Sequence, residues 1–257
     1  VIAIVRNREK AAERFKDYLN YNNLKLIIQD VTEKFTIQGN VDFIIHAASQ
    51  ASPKYYGVDP VGTLNANVLG TNNLLQLAVD KQVEGFLYFS SSEVYGQLTS
   101  EKIPTREMDY GYLDPCNVRS CYAESKRMGE TMCISWMHQH KVPVKIVRPF
   151  HTYGPGMALD DGRVYADFIA DVVYNRDIVM KSDGSAIRAF CYISDAIIGF
   201  FTIILKGNVG HAYNMGNNKC EVSILELAEQ LVSLFPEKSL NVIKKRNDTN
   251  GYIGSFV

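Results

Sequence analysis

Residues 85–96 read GFLYFSSSEVYG, an apolar run that leads directly into three serines. A short unbroken run of apolar and aromatic residues is typical of a strand buried on both faces, so we predict a strand over residues 85–90. Hydroxyl groups after such a strand lie at its carboxyl end, where open α/β sheets bind their ligands. The alternative is a serine-rich turn that only satisfies backbone groups.

The same pattern repeats on both sides of this run. Short apolar runs predict strands at residues 1–5, 24–28, 41–45, 85–90 and 144–148. Apolar residues at helical spacing predict helices at residues 8–19, 60–81 and 122–140. Apolar strands that alternate with helices indicate a parallel sheet covered on both faces. The predicted fold class is therefore α/β, a doubly wound parallel sheet of the Rossmann type with right-handed crossovers.

The alternation weakens after residue 150. Further helices are predicted at residues 163–174, 194–205 and 223–235, and strands at residues 186–191 and 213–216. We therefore predict a cofactor-binding domain over residues 1–150 and a smaller, mainly substrate-binding lobe over residues 151–257. Strands near residues 186–192 and 211–216 are candidates to return from this lobe to the main sheet.

The usual start of a dinucleotide-binding domain is absent from the sequence. Such a domain opens with a strand, a glycine-rich turn and a helix whose N-terminus holds the pyrophosphate. No such turn precedes Val1. We therefore expect the chain to begin at the second strand of the fold, and residues 1–257 alone to bind a dinucleotide poorly.

Composition narrows the class of protein. The chain has 257 residues, 46% hydrophobic and 21% charged, with a formal net charge of −1. These values are ordinary for a globular enzyme and give no reason to expect a nucleic acid or a membrane as partner. The five cysteines are odd in number and none form a CxxC pair, which favours reduced thiols and a cytoplasmic location. We predict no metal site.

Residues 122–126, YAESK, carry the strongest chemical signal. Tyr122 and Lys126 are four apart, which puts a phenol and an ammonium on one face of a helix. A nearby cation lowers the pKa of a tyrosine from its usual value near 10. Such a tyrosine can exchange a proton with a sugar hydroxyl while a hydride passes to nicotinamide. The spacing alone is common on surface helices, but its place after the strand and serines favours a site.

Several segments together resemble one known family. They are SSSEVYG, RSCYAESKR, RPFHTYGPG, DDGRVYADF and RAFCYISDA, with NANVLGTNNLL and AYNMGN in support. This set resembles the extended short-chain dehydrogenase/reductases of the NAD-dependent epimerase/dehydratase family, which act on nucleotide sugars. Within that family the sequence is most similar to UDP-glucuronate decarboxylases, at residues 119–122, 161–164 and 188–190.

The resemblance implies catalytic roles for four residues. Tyr122 is the acid/base, Lys126 lowers its pKa and binds the nicotinamide ribose, and Ser91 bonds the reacting C4 oxygen. The presence of Glu93 distinguishes the types of reaction within the family. The family's dehydratases have an Asp-Glu pair before VYG, whereas this chain has Ser92-Glu93, the form found in the decarboxylases. Plain 4-epimerases usually lack this glutamate.

The resemblance also implies binding residues. Those for the cofactor are Arg6, Asp30, Val31, Ala47, Ala48, Asn67, Tyr122, Lys126 and Pro149. Those for the nucleotide sugar are Ser92, Arg119, His151, Arg163 and Arg188. A guanidinium suits phosphate or carboxylate, although each arginine is otherwise a solvated surface charge. His151 stands where the family usually has asparagine.

The expected cofactor is NAD. Arg6 follows the first strand of the chain, where members that prefer NAD commonly have an acidic residue. An arginine at this point can accommodate a 2′-phosphate, so NADP is the alternative.

The expected function follows from these residues and the resemblance. It is decarboxylation of a UDP-glucuronate-type nucleotide sugar through transient oxidation at C4. A nucleotide-sugar 4-epimerase or 4-ketoreductase is the first alternative, and a non-enzymatic NAD(P)-binding protein is the second. We also expect a homodimer that pairs the helices at residues 60–81 and 122–140.

Overall fold

The computed structural model of the protein describes residues 1–244. Its strands are β1 (Ile2–Val5), β2 (Lys25–Ile28), β3 (Phe43–His46), β4 (Gly85–Phe89), β5 (Val144–Pro149), β6 (His151–Tyr153), β7 (Ile178–Met180), β8 (Ile187–Tyr192), β9 (Ala212–Met215), β10 (Glu221–Ser223) and β11 (Val242–Lys244). Its longer helices are α1 (Arg8–Arg14), α2 (Pro60–Lys81), α3 (Ser120–His140), α4 (Val164–Val173), α5 (Ile193–Lys206) and α6 (Ile224–Ser233).

The main sheet is parallel. Strands β3, β4, β5 and β9 pair in that order, and β1 pairs with β2 in a second parallel sheet. Alternate residues of a strand point to opposite faces. Phe86 and Tyr88 accordingly pack with residues of α2 and α3, whereas Leu87 packs with residues of α5. Helices cover both faces, so the predicted α/β fold with a parallel sheet is confirmed.

A second core lies in residues 153–242. Strand β8 pairs in parallel with β6 and antiparallel with β10, while β7 pairs with β11. Side chains of α4 and α6 close this core around Phe190.

The strand expected near residues 186–192 differs from expectation, because it stays in this lobe and does not join the main sheet. The edge of β5 is already occupied by β9, at residues 212–215.

The first helix is shorter than predicted. The pattern indicated a helix over residues 8–19, but α1 ends at Arg14 and a 3₁₀ turn follows at Lys16–Tyr18. Only Ala11 of α1 is buried, and Tyr18 and Leu19 are exposed. A short helix depends on packing for stability, and here the apolar face has little to pack against.

Residues 1–244 contain neither a candidate membrane-spanning helix nor a candidate metal-binding cluster. No helix in that range combines the length and the apolar character needed to cross a membrane. The same range contains no group of three or more His, Cys, Asp or Glu side chains placed to hold a metal ion.

Candidate active site

The serines after β4 form a tight turn at the carboxyl end of the sheet. A 3₁₀ turn covers Ser92–Tyr95, and the Ser91 hydroxyl caps it by accepting a bond from the Glu93 amide at 3.2 Å. Ser92 is buried in the turn. The cap fixes the direction of the chain, so that Ser91 and Glu93 lie at the edge where α/β sheets bind ligands.

Helix α3 brings Tyr122 and Lys126 to the same edge. Both side chains are buried, Lys126 to 2% exposure. The Lys126 ammonium donates to the Phe89 carbonyl oxygen at 2.6 Å and lies 5.8 Å from the centroid of the Tyr122 ring. The lysine therefore links the end of β4 to the tyrosine, and the structure brings together the phenol and ammonium that the sequence paired.

Burial and nearby charge set the protonation of this pair. Burial raises the pKa of Tyr122, while the hydrogen-bonded Ser91 side chain and the Arg163 charge act in the opposite direction. Burial also lowers the pKa of Lys126, to about 7. Burial therefore shifts both groups toward their neutral forms, but a pKa of about 7 still leaves Lys126 charged in part of the molecules at neutral pH. Any charge on the phenol depends on cations close to it.

Tyr56 is a member of the site that the sequence analysis missed. It follows a 3₁₀ turn at Pro53–Tyr55, and its ring stacks on Tyr122 with centroids 5.0 Å apart and an angle of 13°. Its hydroxyl donates to the Ala51 carbonyl oxygen at 3.0 Å. The only signal in the sequence is an aromatic pair, Tyr55-Tyr56, in the loop after a predicted strand.

Three arginines surround the mouth of the site. Arg119 lies 5.8 Å from the centroid of the Tyr56 ring and lines a cavity of about 200 Å³ with Glu93. Burial raises the pKa of Glu93, against the charges of Arg119 and Arg188. Arg163 forms an ion pair with Asp161 at 3.2 Å, and its charge opposes the rise in the pKa of Tyr122. The predicted arginines and Glu93 thus share one electrostatic environment.

His151 lies among these arginines. Burial lowers its pKa to about 3, and the charges of Arg188 and Arg163 act in the same direction. The ring is therefore neutral at physiological pH. Its buried Nδ1 has no hydrogen-bond partner within residues 1–244, which leaves it open to a ligand group.

The inner part of the expected cofactor groove fits a dinucleotide. Ala47 and Ala48 follow β3 directly, and Pro149 ends β5. Asn67 is buried on α2 and donates to the Ser125 hydroxyl at 2.9 Å. The side-chain oxygen of Asn67 and the Ser49 hydroxyl are buried without a partner among the described residues. Buried polar atoms left unpaired suit a ligand rich in hydroxyl groups, such as a dinucleotide ribose.

The outer part of the groove carries charge. Arg6 and Asp30 form a long ion pair at 3.9 Å, and the Arg6 side chain is mostly exposed. The Thr32 amide bonds to Asp30 and lowers the pKa of that carboxyl, with help from the Thr32 hydroxyl and Arg6. Val31 packs against Gly70 of α2. The choice between NAD and NADP stays a prediction.

Behind the site lies a buried ion pair that the sequence analysis also missed. The Arg148 guanidinium bonds both carboxylate oxygens of Glu130, at 2.8 and 2.6 Å. The Ser90 hydroxyl donates to the same carboxylate at 2.5 Å. The pair joins β5, α3 and the end of β4, and the last two of these segments position Tyr122, Lys126 and Ser91.

Comparison with known proteins identifies the family. The profile of the NAD dependent epimerase/dehydratase family matches residues 1–216, and the chain belongs to this family.

Two relatives within the family are similar to this chain over most of its length. UDP-glucuronic acid decarboxylase 3 of Arabidopsis thaliana is 38% identical over 238 residues, which are 92% of this chain and 67% of that protein. UDP-glucuronic acid decarboxylase 1 of Danio rerio is 39% identical over 223 residues, which are 86% of this chain and 51% of that protein. The chain thus spans two thirds of one relative and half of the other.

Solved structures agree on the fold. A UDP-glucose 4-epimerase from Thermotoga maritima has a TM-score of 0.86 at 18% identity, and the match covers 100% of this chain and 81% of that one. A UDP-glucuronic acid 4-epimerase from Bacillus cereus, solved with UDP-glucuronic acid and NAD, has a TM-score of 0.79 at 21% identity, covering 96% and 78%.

The comparisons confirm several expectations from the sequence. The family is the predicted one, its fold is the predicted Rossmann type, and its cofactor is a nicotinamide dinucleotide. The roles of individual residues stay predictions.

Proposed function

We propose that the protein decarboxylates a UDP-glucuronate-type nucleotide sugar after transient oxidation at C4, which makes it a lyase. The placement of Glu93 carries this proposal: a part-buried carboxylate two residues beyond Ser91, facing Arg119 and Arg188. Proton transfer at C4 needs only a tyrosine, a lysine and a serine. A further carboxylate beside two cations supports chemistry at a second position of the sugar. The relatives named UDP-glucuronic acid decarboxylase support the same reaction.

Tyr122 performs the first proton transfer in this mechanism. A bound nicotinamide dinucleotide would supply the hydride acceptor for oxidation at C4 and the hydride donor for the final reduction. Tyr122 takes the proton of the C4 hydroxyl, with the charge of Lys126 favouring the phenolate and Ser91 bonding the C4 oxygen. The residues that would hold the dinucleotide are Asp30, Val31, Ala47, Ala48, Asn67 and Pro149.

Glu93 acts on the second step. A ketone at C4 makes the C6 carboxylate part of a β-keto acid, so carbon dioxide leaves and its bonding electrons remain in an enolate. C5 must then gain a proton. Burial raises the pKa of Glu93, which favours the protonated carboxyl that can supply it. Tyr122 returns its proton to the C4 oxygen when the hydride returns.

The arginines and His151 hold the substrate. In the proposed complex Arg163 and Arg188 bind the diphosphate and the sugar carboxylate, because a guanidinium bonds such groups through two donors. Arg119 closes the mouth over Glu93. His151, which is neutral, offers one hydrogen bond from its ring.

Glu93→Gln in the full-length protein is expected to separate the two steps. Reduced cofactor still forms, because C4 oxidation does not use Glu93, while release of carbon dioxide falls by about 10²-fold or more. Near-ultraviolet absorbance follows the reduced cofactor, and product analysis follows decarboxylation. Glu124→Gln is the matched control. Glu124 is a partly exposed carboxylate that forms an ion pair with Arg127, and it has no role in the proposed mechanism. Unchanged decarboxylation in Glu93→Gln contradicts the proposal.

A homodimer through α2 and α3 is the assembly we propose. The two helices pack side by side, and each keeps exposed apolar side chains: Val61, Leu64, Leu69, Met128 and Ile134. Helices of this kind pair readily across a two-fold axis. Light scattering of the full-length protein at micromolar concentration is expected to give the mass of a dimer, and a monomer mass refutes the assembly.

We also propose a cytoplasmic location. All five cysteines are free, and Cys133 and Cys191 are buried as thiols. Free thiols persist where the compartment is reducing.

A further inference from the structure

Tyr88 is a buried residue next to the site that the proposed mechanism does not use. It lies in β4, one residue before the carbonyl that binds Lys126, and is 0% exposed. Its hydroxyl makes no hydrogen bond of standard geometry within residues 1–244, although the Thr71 side chain lies close enough to oppose the rise in its pKa. Burial raises the pKa of Tyr88 well above its usual range, so the phenol is neutral. A buried hydroxyl whose hydrogen bonding is poorly satisfied lowers stability, and a leucine or phenylalanine avoids that loss.

Helix α3 is adapted to this tyrosine at Gly129. A Cβ atom at position 129 would lie 2.0 Å from the Tyr88 hydroxyl oxygen and 2.4 Å from Cζ. Alanine therefore cannot stand at position 129 while the phenol keeps its place. Glycine in the middle of a helix is itself less stable than alanine. The buried Tyr88 hydroxyl and the glycine within α3 thus each lower stability, and a tyrosine at position 88 requires both.

The ring of Tyr88 faces the Lys126 ammonium. The nitrogen lies 5.2 Å from the Tyr88 centroid and 5.8 Å from the Tyr122 centroid, while it donates to the Phe89 carbonyl oxygen. A cation within about 6 Å of a ring centroid is attracted by the ring, and more strongly where water is excluded. Lys126 is 2% exposed, so this contact is of the stronger kind.

We propose that Tyr88 is a positioning residue for Lys126: its ring face holds the ammonium between β4 and Tyr122, and Gly129 provides the space for the ring. This inference rests on the proposed role of Lys126 in the reaction. In this role the aromatic face of Tyr88 attracts the Lys126 ammonium, and the Tyr88 hydroxyl has no part.

The charge of Lys126 is sensitive to its surroundings. Its pKa is lowered by burial to about 7, with Cys133 and Glu130 acting against the shift. The other titratable groups that face it are His46 on β3, Tyr88 on β4 and Tyr122 on α3. His46 is neutral, since burial lowers its pKa to about 3. The Tyr88 ring is thus a neutral group that favours the charged form of Lys126.

A stability cycle in the full-length protein tests the pairing of Tyr88 with Gly129. Gly129→Ala is expected to lower the melting temperature by about 3–10 °C, because the buried ring must shift. Adding Tyr88→Leu removes the clash, so the double variant is expected to melt above Gly129→Ala. If Gly129→Ala lowers the melting temperature as much with leucine at position 88 as with tyrosine, the two residues are not paired and the inference is wrong.

The pH profile of kcat/KM tests the action on Lys126. Removing the ring in Tyr88→Leu destabilises the ammonium, so Lys126 loses its proton at lower pH. The alkaline limb of the profile is expected to move down by about one pH unit. Tyr88→Phe keeps the ring, and its alkaline limb is expected at the wild-type pH. A purely structural role changes the height of the profile and leaves the limb in place.

The outcomes separate this inference from the proposed function. A wild-type protein that oxidises no nucleotide sugar contradicts the proposed function, and the stability cycle still tests the pairing. An active wild type with the same alkaline limb in Tyr88→Leu contradicts the positioning role alone. If the alkaline limb moves by the same amount in Tyr88→Leu and Tyr88→Phe, the ring face is not the part of Tyr88 that holds Lys126.

Discussion

Tyr122→Phe in the full-length protein is expected to lower turnover by about 10²–10⁴-fold while substrate binding changes by no more than a few-fold. The phenol oxygen is the only part removed, and it is the group that takes the C4 proton in the proposed mechanism. The ring keeps its stacking on Tyr56, with centroids 5.0 Å apart, so the wall of the site retains its shape. Turnover is therefore expected to fall in this variant while substrate affinity is retained.

Steady-state kinetics and calorimetry with the nucleotide sugar measure the two quantities for Tyr122→Phe. Tyr174→Phe is the matched control, because Tyr174 is exposed at the end of α4 and contacts Arg176. It is expected to turn over like the wild type. Turnover near the wild-type value in Tyr122→Phe rules out the acid/base role.

Glu130→Ala is expected to lower the free energy of unfolding by about 3–5 kcal/mol, the usual loss when one partner of a buried ion pair is removed. The guanidinium of Arg148 is 1% exposed and bonds both oxygens of Glu130. It also bonds the Tyr95 hydroxyl and the Glu107 carbonyl oxygen, so it cannot easily turn toward water. Without Glu130 a buried charge is left uncompensated.

Urea denaturation of the full-length protein measures this loss of stability. Glu124→Ala provides the comparison, since Glu124 lies on the same helix and pairs at 3.5 Å with Arg127 in a partly exposed position. Exposed pairs contribute about 0–1 kcal/mol, so this variant should remain close to the wild type. A Glu130→Ala variant as stable as Glu124→Ala contradicts the account of Arg148.

Much of the fold could be predicted from local sequence. The run GFLYF has no charged residue at any position, which is typical of a strand covered on both faces, and β4 occupies residues 85–89 inside the main sheet. The pairing of Tyr122 with Lys126 could also be predicted, because residues four apart on one helix lie on the same face.

Other parts of the site depend on contacts between distant segments. The stacking of Tyr56 on Tyr122 joins residues 66 positions apart, and no periodic pattern marks Tyr56. Arg148 ends a predicted strand, where an arginine is normally solvated, so its burial against Glu130 could not be anticipated. The place of β8 depends on its pairing with β6 and β10, which local sequence patterns do not specify.

The mass of the product formed by the full-length wild-type protein tests the proposed function most directly. Mass spectrometry after incubation with UDP-glucuronate and related nucleotide sugars distinguishes the three reactions of this family. The account predicts a nucleotide sugar lighter by one carbon dioxide, with the cofactor oxidised again at the end of the reaction. A product of unchanged mass contradicts decarboxylation and indicates a 4-epimerase, and a product lighter by one water indicates a dehydratase.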